Sequence, residues 1–117
     1  MNISDVLEKF AILSGLSGSG LNRWESICED SILEIRSKLR DGVIEQDHDR
    51  ILCAAAAALS FYKYVLLSVI GNDVDPENVY ILSNNFIKNL ASTIWLEYKQ
   101  LISNLIVDEK FVFKGII

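Results

Sequence analysis

Residues 51–70 read ILCAAAAALSFYKYVLLSVI, an apolar run of twenty residues that holds one charge, Lys63. The run is long enough to cross a membrane. However, a charge near its centre costs about 2.5 to 3.5 kcal/mol on insertion. Asp47, Asp49, Asp73 and Asp75 also make both flanks acidic, whereas a cytoplasmic boundary is rich in Lys and Arg. The pattern therefore predicts the buried central helix of a helical bundle and no membrane association.

Both faces of this predicted helix are apolar. Leu52 and Leu59 share one face, and the opposite face, which includes Tyr64, is apolar as well. The alanine run 54–58 leaves almost no side-chain bulk, so neighbouring helices can approach from more than one direction. Because Tyr62 and Tyr64 lie about 200° apart around the helix, we expect Tyr64 to contact another element or another subunit.

Capping and periodicity signals divide the whole chain into one all-α domain of about four helices. The predicted segments are a short N-terminal helix over 1–13, a flexible linker over 14–21, a helical core over 22–107 and an extended tail over 108–117. Predicted helix starts are Ser4, Asn22, Asp47 and Asp75 before Pro76, and predicted helix stops are Gly15, Gly42 and Gly71.

The last predicted helix has an apolar stripe at spacings of three, four and seven residues. Its members are Val79, Leu82, Phe86, Leu90, Ile94, Leu101 and Leu105. The pattern leaves open whether this is one long helix or two pieces that break near Ser83–Asn85.

Composition narrows the function classes. The net charge of −5 repels polyphosphate and anionic lipid, which disfavours nucleic-acid binding. Cys28 and Cys53 form neither a disulfide framework nor a CxxC pair, which favours an intracellular, reducing setting.

Three local patterns resemble chemical sites but lack essential parts. His48 has no nucleophile at a helical offset. The acidic residues 73–77 lack the glycine and the distant glutamate of a calcium loop, and the glycines of 15–20 are followed by Leu21 where a phosphate-binding loop needs lysine. The sequence therefore predicts no catalytic residue, no metal site and no cofactor.

The order of elements carries a family resemblance. Trp24 opens an amphipathic helix that ends Lys38-Leu39-Arg40-Asp41-Gly42, and Asp49-Arg50-Ile51-Leu52 leads through the alanine run to Phe61-Tyr62-Lys63-Tyr64. Over roughly residues 22–70 this layout resembles the small helical neck proteins, or head-to-tail connectors, of tailed bacteriophages and phage-tail-like particles. The resemblance implies a non-enzymatic subunit of a homo-oligomeric ring between portal or collar and tail, made in the cytoplasm and built into the particle.

Two other functions stay open at this point. One is a small prophage-encoded protein that inhibits a host protein through an acidic face formed by Glu25, Glu29, Asp30 and Glu34. The other is a helical regulatory or ligand-binding module, which needs a cavity beside the alanine run.

The C-terminal tail is the last candidate interaction element. It carries four large apolar side chains, those of Phe111, Phe113, Ile116 and Ile117. They follow Leu105 without a spacing that continues the helix, so we expect an extended arm that lies on a neighbouring subunit. The alternative is that the tail folds back on its own bundle.

Overall fold

The computed structural model describes residues 1–71 and 81–107, and the fold is all-α, as predicted. Its elements are α1 (Ile3–Ser14), α2 (Gly18–Asn22), α3 (Glu25–Ser37), a 3-10 turn (Glu45–His48), α4 (Asp49–Gly71) and α5 (Ile81–Leu101). Within the described residues there is no strand, and the one isolated bridge is antiparallel and joins Leu39 to Ile106.

The helix α4 lies at the centre of the bundle. It packs against α1, α3 and α5, and α1 also packs against α3. The side chains of Ala55–Ala58 are fully buried, so neighbouring backbones come close to this helix. With a mean hydropathy of 1.7, the stretch Glu45–Ser68 is long and apolar enough to cross a membrane, but 67% of its most apolar part is buried inside the bundle. The prediction of a buried central helix is confirmed.

The first helix is held by a different cap from the one predicted. Asn2, and not Ser4, is the N-cap, because its side-chain oxygen accepts a hydrogen bond of 2.7 Å from the Ser4 backbone N–H. Gly15 ends the helix as expected, at a φ of 75° with its N–H donated to the Ala11 carbonyl. Val6 and Phe10 are fully buried.

The predicted flexible linker, residues 14–21, contains most of a short helix. Gly18–Asn22 make the short helix α2, and the side chains of Leu16 and Leu21 pack against the core. Asn22 is therefore the last residue of α2 and not the cap of the next helix, which begins at Glu25. The glycines and serines of this segment indicated flexibility, and the contribution of Leu16 and Leu21 to packing was therefore not predicted.

The end of α3 is set by a contact that is distant in sequence. The helix stops at Ser37, five residues before the predicted stop at Gly42. The Arg40 N–H donates to the Leu105 carbonyl and the Val107 N–H donates to the Lys38 carbonyl, each at 2.8 Å. These bonds flank the isolated antiparallel bridge between Leu39 and Ile106. Gly42, at a φ of 87°, lies in the following turn.

The start of α4 also differs from prediction. Asp47 lies within the 3-10 turn, and α4 begins at Asp49. The predicted start of the last helix, at Asp75 and Pro76, lies outside the described residues.

The last helix is continuous across residues 83–85, and only part of its apolar stripe is buried. Phe86 and Leu101 are 67% and 60% exposed, while Ala91 and Trp95 are buried. Nine residues, or about two and a half turns, separate Phe86 from Trp95, so the two side chains point to opposite sides of α5. The Trp95 side of α5 therefore packs against α4, and part of the apolar stripe is exposed to solvent.

Ala55→Glu tests the burial of α4. The side chain is fully buried among apolar neighbours, so an unpaired carboxylate there should lower the free energy of unfolding by more than about 4 kcal/mol and leave the protein unfolded or insoluble. Gln100→Glu adds a charge at an exposed helical position and serves as the control. A soluble Ala55→Glu variant with an unchanged melting temperature would show that this face is not buried.

Candidate functional site

A buried charge pair joins α3 to α4. Lys63 of α4 donates a hydrogen bond of 2.5 Å from Nζ to Oε1 of Glu34 on α3. The Lys63 side chain is 5% exposed and that of Glu34 is 23% exposed. The pairing gives the single charge of the apolar run 51–70 a partner of opposite sign, which a buried charge requires.

The second oxygen of Glu34 has no partner in the described part of the chain. Glu34 Oε2 is buried and accepts no hydrogen bond, and the buried hydroxyl of Ser31, one turn earlier on α3, is likewise unbonded. Buried polar atoms are nearly always bonded in folded proteins. Among the described residues, Glu34 Oε2 and the Ser31 hydroxyl are exceptions to this rule.

Beside this pair a groove runs between α3 and α4. It has a volume of about 330 Å³, and Ile27, Leu33 and Leu67 form its apolar walls next to Glu34 and Lys63. Asp30 and Ser37 line its edge. We call this set of residues the α3–α4 groove. Leu33 is 59% exposed, so part of the apolar wall of the groove is open to solvent.

A second apolar surface lies on the outer face of α5. Phe86, Leu90 and Leu101 are 67%, 45% and 60% exposed, and their spacing places them within about 60° of one another around the helix. We call these three residues the α5 ridge. Sequence periodicity had placed all three residues on the apolar stripe of the last helix.

Tyr64, which we expected to contact another element or another subunit, packs against aromatic rings of its own chain. Its ring centroid lies 4.9 Å from that of Trp24 and 5.8 Å from that of Phe10, both edge to face. Tyr64 thus ties α4 to α1 and to the start of α3. The four tail residues proposed for interaction, Phe111, Phe113, Ile116 and Ile117, lie outside the described residues.

An ionic cluster fastens the start of α1 to the end of α3. Glu45 accepts hydrogen bonds from the Arg36 guanidinium at 2.7 and 2.9 Å and also contacts the Met1 ammonium. The bidentate Arg36 contact, assisted by the ammonium, lowers the pKa of Glu45 to about 2. His48, for which the sequence predicts no catalytic role, is half-buried at the end of the same 3-10 turn.

Three side chains come close enough to share a cation. Ligand atoms of Asp5, Asp49 and Cys53 lie within 4.8 Å of one another. The Met1 ammonium already lies 3.1 Å from Asp49, and burial raises the pKa of the Cys53 thiol, which disfavours the thiolate that binds metal. We therefore assign no metal to this cluster.

The other cysteine is also held as a thiol. Cys28 is fully buried, and this burial raises the pKa of its thiol to about 11. A nucleophilic role needs the opposite shift.

A shallow cleft of about 200 Å³ lies beside the alanine run, between α1 and α5. It is lined by Lys9, Ile12, Leu13, Ala54, Ala57 and Tyr98. This is the position that the ligand-binding alternative requires.

The Glu34–Lys63 pair generates a prediction on stability. Glu34→Leu leaves a buried ammonium without its partner and should lower the free energy of unfolding by about 3 kcal/mol, the low end for one-sided removal of a buried pair. Combining it with Lys63→Met removes the charge altogether and should recover most of this loss. Chemical denaturation of the four proteins of the cycle measures the coupling. Additive losses would show that the two charges do not interact.

No protein family, no curated protein and no solved structure matches this chain.

Proposed function

We propose that this protein is a non-enzymatic assembly subunit that associates with further copies of itself into a ring. Its specific form, carried over from the resemblance of residues 22–70, is a neck or collar subunit of a tailed phage or phage-tail-like particle, with portal, collar or tail proteins as partners. The support from the structure is the position of two exposed apolar surfaces, the α5 ridge and the α3–α4 groove.

The two surfaces lie on opposite sides of α4. Lys63 contacts α3, whereas Ala54 lies beside Tyr98 of α5. Nine residues, or about two and a half turns, separate Ala54 from Lys63, so α3 and α5 flank opposite sides of the central helix. Phe86 in turn points away from the buried Trp95, which places the α5 ridge on the outer side of α5.

This placement favours a ring over a simple dimer. A two-fold dimer uses the same patch on both subunits, whereas a ring or filament needs two different patches that contact each other head to tail. Apolar surface that is exposed in a monomer commonly marks an interface. Two separate patches on opposite sides of one chain meet the requirement of a ring subunit.

The shallow cleft beside the alanine run favours a second candidate function, a ligand-binding module. Light scattering coupled to size-exclusion chromatography separates the two candidates. A wild-type chain that remains monomeric at all concentrations would contradict the ring subunit and leave the ligand-binding module or the host-protein inhibitor.

The double variant Phe86→Ser, Leu90→Ser tests the α5 ridge. Both side chains are exposed, so the substitutions should leave the melting temperature within a few degrees of the wild type and convert the oligomer to a monomer. Ile12→Ser is the matched control, because Ile12 is 78% exposed but lies on α1. An oligomer that survives the double substitution would exclude the ridge from the interface.

Deletion of residues 108–117 tests the predicted assembly arm. We expect the truncated protein to keep its helical circular dichroism and its melting temperature and to lose self-association. If the tail instead folds back on its own bundle, the melting temperature falls and the oligomeric state is unchanged.

A further inference from the structure

We draw no further inference here: the strongest candidate, the α3–α4 groove beside the Glu34–Lys63 pair, carries nothing, because the unbonded oxygen Glu34 Oε2 is buried within its own chain and nothing in the structure shows what covers the apolar walls.

Discussion

Residues 54–58 of α4 present only methyl groups, and this lack of bulk sets the geometry of the bundle. Larger side chains there would push the neighbouring helices outwards, whereas Ala55–Ala58 are fully buried and the backbones approach closely. Because α4 is covered on several sides, it can be apolar almost all round without crossing a membrane. The other helices then need only one apolar face each, and any apolar surface beyond that face remains outside.

The one charge in the apolar run constrains the fold in a second way. Lys63 is 4% exposed, and a buried ammonium is tolerated only with a partner. Glu34 supplies it from α3, so sliding α3 by one turn along α4 would break the pair and leave a charge buried alone. The pair therefore acts on the register of α3 and α4, and it brings the walls of the α3–α4 groove together.

Local pattern was sufficient to predict some elements and insufficient for others. Ala55–Ala58 of the alanine run are buried as expected, and Cys28, Ile32 and Ile35, which follow the helical period, are buried as well. The end of α3 at Ser37 was not predictable in this way, because its cause is the pairing of residues 38–40 with 105–107. The Glu34–Lys63 pair joins residues 29 positions apart, so no local spacing announces it. The candidate site depends on the packing of α3 against α4, which the sequence pattern does not specify.

The face of α5 shows why periodicity alone could not separate core from interface. Between Phe86 and Leu101 its apolar residues cover an arc of about 260°, from Leu96 through Phe86 round to Trp95. Any helix with so wide an arc has more apolar surface than one neighbour can cover. Packing against α4 buries the half that contains Ala91 and Trp95 and leaves the half that contains Phe86 and Leu90 exposed. A monomer gains nothing from the exposed half, whereas an assembly subunit needs one apolar face for its own core and another for its neighbour. The width of this arc, which made the sequence ambiguous, is thus the feature of α5 that best fits an assembly role.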